Sequence, residues 1–290
     1  MGQGKLQKHT IRWYSDGQPV WVSKVADGAC ARQYYPGSSE KAFCCWEKQG
    51  EEGRAFDFRT PIHADLVLCA VYSEPIPGGE GRFAVGVGTG SLFVSRWQQA
   101  EALRMHKTEQ DTYKITLTLY RGDVLKFKRE GTWHGQADIG SLVPRGERES
   151  FCFFGTPQHG DIVVQQDGEY EFEWNEQEQS VAVARTGDAP PCAAYPDWCI
   201  VGDMNAWRAE GAQRLQGKDG VYSAVFEISQ KDLAVHGDVC HFMLHNPETG
   251  QYRGAADGGH LTCPAGRYRI TAGLPLGSLD IQPQEEGHVI

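Results

Sequence analysis

The order of polar and apolar residues along the chain is that of short, half-buried strands. Asp111-Thr-Tyr113-Lys-Ile-Thr-Leu-Thr-Leu119 and Asp219-Gly-Val-Tyr222-Ser-Ala-Val-Phe-Glu-Ile228 each leave a turn and then alternate. Successive side chains of a strand point to opposite faces, so this period buries one face and wets the other. The same reading places strands at His9–Tyr14, Val20–Val25 and Leu66–Tyr72. Helical spacing is confined to Trp97–His106 and Ser229–Val235. The chain is therefore predicted to be all-β.

Two turn-rich stretches interrupt the pattern and read as linkers, Pro75-Ile-Pro-Gly-Gly-Glu-Gly81 and Thr186-Gly-Asp-Ala-Pro-Pro191. They divide the chain into segments 10–74, 82–185 and 195–283, each of domain size. The second and third segments carry the same landmarks in the same order, as a duplicated unit would. Val85-Gly86 answers to Val201-Gly202, and Trp97 to Trp207. Gly122-Asp123-Val-Leu-Lys-Phe127 answers to Gly237-Asp238-Val-Cys-His-Phe242, and Asp167-Gly-Glu-Tyr170 to Ala265-Gly-Arg-Tyr268. About seven short runs in each copy predict an immunoglobulin-like β-sandwich. The first segment has fewer runs and is too small for one.

Composition narrows the partner. The 35 glycines suit a chain of many tight turns. A net charge of −10 and a pI near 5.5 oppose a polyanion such as DNA or RNA, so no nucleic-acid partner is expected. The most basic stretch, Lys126-Phe-Lys128-Arg129, is short, and a neutral partner fits better. No run approaches the roughly 18 apolar residues that span a bilayer. The start lacks the apolar core of a signal peptide, and nine cysteines without a Cys-x-x-Cys pair read as reduced thiols. Both features point to the cytoplasm.

Catalytic signals are weak. Glucan hydrolysis needs two carboxylates set apart in a cleft, whereas Glu51-Glu52 and Glu169 to Glu178 read as surface runs. Gly86-Val-Gly88-Thr-Gly90 lacks the helix and Lys-Ser/Thr of a phosphate loop. No Ser or Cys occupies a nucleophile elbow. His236, His241, His245 and His260, with Cys240 and Cys263, are the one metal-like cluster, but their spacing matches no metal motif. The expectation is a non-enzyme with neither cofactor nor metal.

Ile200-Val-Gly-Asp-Met-Asn-Ala-Trp207 resembles the opening of starch- and glycogen-binding immunoglobulin-like modules. Such modules accompany branching and debranching enzymes, form part of the AMP-activated kinase β subunit, and are related to outer-membrane starch-binding lipoproteins of Bacteroidetes. Leu125-Lys126-Phe127 with Trp133 in the following turn resembles the sugar-platform strand of the kinase-subunit version. The resemblance implies an α-glucan partner and a platform of Trp97, Lys126 and Trp133 in the second segment. In the third it implies Trp207, His241 and Tyr252. Trp97 and Trp207 could equally be core residues, as a Trp in a sandwich often is. Trp133 and Tyr252 lie in polar turns, whereas Trp13 and Trp174 sit in alternating runs.

In the first segment, Phe43-Cys-Cys-Trp46 and Phe56-Asp-Phe58-Arg-Thr60-Pro61-Ile62 resemble the Listeria–Bacteroides repeat, a β-grasp unit of bacterial surface proteins. That resemblance suggests the cell surface and a protein partner for this segment. Two functions are thus carried forward: non-catalytic α-glucan binding, and a structural or adhesive role with no sugar site.

Overall fold

The computed structural model describes residues 7–36, 41–74, 81–108, 111–134, 142–144, 151–154, 160–233, 237–256 and 259–284. The fold is all-β, and its only helical pieces among these residues are short 3-10 turns. One of them, Gln230–Leu233, falls inside the predicted helical stretch 229–235. The other predicted stretch, 97–106, holds only Glu101–Leu103.

The first sheet contains β1 (Lys8–Ser15), β2 (Gln18–Ala26), β3 (Ala42–Lys48) and β4 (Leu66–Ser73), in the order β2-β1-β4-β3. Its central pair, β1 and β4, is parallel and the outer pairs are antiparallel. Asp16 and Gly17 both take positive φ at the β1–β2 turn, the conformation for which Asp-Gly is favoured. Strand β3 escaped the alternation test because a bulge between Phe43 and Cys45 shifts its register. Phe43 and Trp46, three apart, are thereby both buried. No helix among the described residues covers this sheet. Its loops supply Tyr34 and Phe58 instead, and Phe58 stacks on the buried Trp13 at 5.8 Å.

The second group of strands is β5 (Arg82–Val87), β6 (His106–Lys107), β7 (Thr112–Leu119), β8 (Val124–Arg129), β9 (Thr132–His134), β10 (Leu142–Pro144), β11 (Phe151–Phe154), β12 (Asp161–Val164), β13 (Gly168–Asn175) and β14 (Ser180–Gly187). They form two sheets, β10-β14-β13-β7-β6 and β11-β12-β8-β5, with β9 added to β8. Leu117, Phe172 and Trp174 from one sheet meet Leu125, Phe127 and Ile162 from the other in one core. This is sandwich packing, with alternate residues of each strand turned inward.

The third group is β15 (Cys199–Gly202), β16 (Gln216–Lys218), β17 (Val221–Ile228), β18 (Cys240–His245), β19 (Tyr252–Arg253), β20 (Leu261–Cys263), β21 (Gly266–Gly273) and β22 (Leu279–Pro283). Its sheets are β16-β17-β21-β22 and β15-β18-β19, with β20 on β18. Phe226, Phe242, Leu244 and Ile270 fill the space between them.

The repeat seen in the sequence has a structural counterpart. Tyr170 faces Leu117 across β13 and β7, as Tyr268 faces Phe226 across β21 and β17. Each phenol donates to the carbonyl four residues upstream, Tyr170 to Gln166 at 2.8 Å and Tyr268 to Pro264 at 3.1 Å. This is the tyrosine corner of immunoglobulin-like sandwiches. Tyr170→Phe removes one such bond and is expected to lower unfolding stability by about 0.5–1.5 kcal/mol in a urea titration.

The glycine-rich run turns out to be a packing device. A Cβ at Gly86 would lie 2.0 Å from the Val124 carbonyl, and one at Gly90 would lie 2.1 Å from that of Thr118. At Gly88 it would strike the Asp123 carboxylate at 2.2 Å. Asp123 is fully buried and accepts the backbone N–H groups of Thr89 and Tyr120 at 2.8 and 2.9 Å. It ties the end of β5 to the turn before β8.

Candidate functional site

The pleat of β8 sorts its side chains. Leu125 and Phe127 point into the core, while Lys126 and Lys128 stand half-buried on the outer face. The Glu130-Gly131 turn, both residues at positive φ, sends β9 back alongside and sets Trp133 opposite Lys128. Trp133 is 43% exposed, and the Lys128 ammonium lies 4.9 Å from its ring centroid. Such a cation over an indole face is held by the ring quadrupole.

Trp97 arrives from the segment after β5. Arg96 and Trp97 both adopt left-handed backbone, φ 46° and 64°, and the Trp97 N–H donates to the Gly86 carbonyl at 3.0 Å. Two consecutive non-glycine residues in that region are costly and need such anchoring. The result is a half-buried indole 6.1 Å from Trp133, with the two rings inclined at 63°. On the same face Lys126 is paired with Asp161 at 2.6 Å. Its charge is thereby offset, and the pair sets a donor and an acceptor on the face that bears the angled indoles.

The third group builds the same device. Ala206 and Trp207 have φ 52° and 60°, and the Trp207 N–H donates to the Gly202 carbonyl at 2.9 Å. Trp97 and Trp207 are therefore equivalent, although a longer loop leads to the first. Strand register fixes the other equivalences. Gly86 faces Leu125 and Gly202 faces Phe242, so Lys128 matches His245 and Lys126 matches Met243. The alignment of Lys126 with His241 in the sequence is off by one pleat. It rested on a shared Gly-Asp, yet Asp123 is a buried hub and Asp238 is exposed. Tyr252 stands opposite His245 just as Trp133 stands opposite Lys128.

Equivalent positions do not give equivalent surfaces. Tyr252, 46% exposed, stacks on His245 at 4.2 Å and 21°. Burial, aided by Arg96, pushes the His245 pKa down to about 4, so the imidazole is neutral at pH 7, with Nδ1 donating to the Gln251 carbonyl at 3.1 Å. Trp207 lies instead against His260 at 4.7 Å, and His260 is 5.7 Å from His241. Asp203 accepts from the Trp207 indole at 3.2 Å and from the His241 backbone at 2.8 Å. The three residues expected together thus divide between the two ends of β18, Trp207 with His241 at one and Tyr252 at the other.

The metal-like cluster is split by the same pleat. Cys240 and Cys263 face each other inside the core, whereas His241 and His245 are on the outer face. His236 is outside the described residues, among which no three potential ligands gather. No helix among them is long and apolar enough to cross a membrane.

Sequence reading missed Lys128, His245, His260 and Arg96 as part of these surfaces. Lys128 was visible two residues from Lys126 on the same face. The others come from loops or from a slipped register and carry no motif.

No family model and no curated protein matches the chain. Among solved structures, the crystal structure of SusF from Bacteroides thetaiotaomicron is similar at a TM-score of 0.25 and 12% identity, over 78% of this chain. The match takes in 54% of that protein, so the chain spans about half its length. A likeness that loose fixes neither a ligand nor a family.

Proposed function

We propose that this chain is a non-catalytic α-glucan-binding protein of three domains, 10–74, 82–185 and 195–283, whose principal site is the Trp97–Trp133 pair. The observation that carries the reading is the pair itself: two accessible indoles at 6.1 Å and 63°, one of them 43% exposed. A glucose ring presents a flat patch of C–H bonds that desolvates against an indole face and leaves its hydroxyls at the rim. Inclined rings follow the curved face of an α-1,4-linked chain, whereas a flat β-linked chain favours coplanar ones. Lys128, Lys126 and Asp161 supply donors and acceptors for hydroxyl groups without demanding a charged ligand.

A structural or adhesive role has one observation in its favour. Strand β2 is a sheet edge with Val22 56% exposed, and edge strands invite pairing with another chain. That would use the first domain and leave the indole pair idle.

Affinity electrophoresis separates the two. The chain is expected to be retarded in gels containing amylopectin or glycogen and to run freely in one containing a β-glucan. Unchanged mobility in all three would remove the glucan reading and leave the adhesive one.

A further inference from the structure

The third group of strands does not hang from a flexible linker. Its turn at 246–251 is pressed against the end of the β5–β8 sheet and against the loop that leads to Trp97. Arg96, the neighbour of Trp97, lies over the Tyr35 ring at 4.5 Å and donates to the carbonyls of Pro247, at 3.2 Å, and Glu248. Gly250 takes positive φ there, and a Cβ would meet Arg96 at 2.7 Å and Val87 at 3.2 Å. Beside it, the Gln251 amide donates to the Gly122 carbonyl at 2.6 Å in a buried bond. Arg32, in the loop between β2 and β3, pairs with Glu248. One arginine therefore joins all three groups of strands at the residue preceding the platform indole.

Position along β8 places this junction on the face that bears the indole pair. Val87 pairs with Val124, and Val124, Lys126 and Lys128 share the outer face. From Val124, at the junction, to Lys128, beneath Trp133, is four residues, or about 13 Å of strand. Two residues beyond Gly250 stands Tyr252, exposed and stacked on neutral His245.

We propose that the outer face of β8 and the Tyr252–His245 stack form one continuous trough across both sandwiches, so that a single α-glucan chain is gripped at both ends. This rests on the glucan reading above and adds to it the class of ligand: linear stretches of several glucose residues rather than chain ends or short sugars. A second ring platform held at fixed separation adds affinity without the entropic loss of a mobile linker. The stack supplies a flat phenol face, and the buried junction keeps it in register with Trp97.

The test is calorimetric titration of the full chain with maltotriose and with maltoheptaose, for wild type, Tyr252→Ala and Tyr252→Phe. Wild type is expected to bind the longer sugar about tenfold more tightly, as one further stacked ring allows. In Tyr252→Ala that ratio collapses towards one, and Tyr252→Phe, which keeps the ring, restores it. Thermal melting of each variant checks that the fold is intact. A wild-type ratio near one, or an undiminished ratio in Tyr252→Ala, overturns the trough while leaving glucan binding in place. Absence of binding to either sugar overturns the glucan reading itself.

Discussion

Trp133→Ala is expected to weaken binding to amylopectin about 5- to 150-fold, because a ring stacked on an aromatic is worth about 1–3 kcal/mol by alanine substitution. The effect should be confined to binding. Trp133 projects from β9 at the margin of the sheet, is 43% exposed, and contacts Trp97 and the Lys128 ammonium. Surface substitutions of that kind change stability by about 0.5 kcal/mol or less. Trp133→Phe keeps a smaller ring and should fall between the two. The informative readout is therefore the pair of numbers, affinity from electrophoretic retardation and midpoint from urea unfolding. A large loss of affinity with an unmoved midpoint is the expected result. A fall in both would make Trp133 a structural residue.

The second large effect concerns the scaffold beneath the site. Asp123→Asn replaces one of two carboxylate oxygens that accept the Thr89 and Tyr120 N–H groups. Whichever way the amide turns, one buried donor loses its acceptor, at about 1–3 kcal/mol, and the incoming amide hydrogens find little room beside Gly88. The wild type should also show a pH signature. Burial raises the Asp123 pKa from 3.8 to about 7, partly offset by the N–H groups of Tyr120, Thr89 and Gly90. A folded-state pKa above the unfolded one means that folding takes up a proton between those values. The stabilisation is complete below the unfolded pKa and is lost as pH rises through about 7. Urea midpoints measured from pH 5 to pH 8 should therefore decline for wild type and decline less for Asp123→Asn. Parallel slopes would show that Asp123 titrates normally.

Much of the fold was legible because alternation is a direct consequence of strand geometry. Thr112–Leu119 and Val221–Ile228 announced themselves, and the landmarks Tyr170 and Tyr268 occupy equivalent corners. Strand β3 was hidden because a bulge breaks the period on which such reading depends. The site was half legible for a related reason. A polar turn after β8 predicted that Trp133 would be exposed, since polar turns lie in water. The partner indole could not be placed from spacing, because the loops before Trp97 and Trp207 differ in length while ending in the same backbone hydrogen bond. The equivalence of Lys126 with His241 failed because a shared Gly-Asp was mistaken for shared structure. Only the pairing of Gly86 with Leu125 and of Gly202 with Phe242 shows which residues occupy the same place. The role of Arg96 was invisible, since nothing in an isolated arginine announces that it will lie between three groups of strands.

The inclination of two rings is a claim about ligand shape, and shape can be tested with one pair of sugars. Calorimetric titration with β-cyclodextrin, a closed curve of α-1,4-linked glucose, beside cellohexaose, a straight β-linked chain, does so directly. Saturable heat with the cyclodextrin, none with cellohexaose, and loss of the signal in a Trp97→Ala, Trp133→Ala double variant is the predicted result. Equal binding of both sugars, or cyclodextrin binding that survives removal of both indoles, would contradict it.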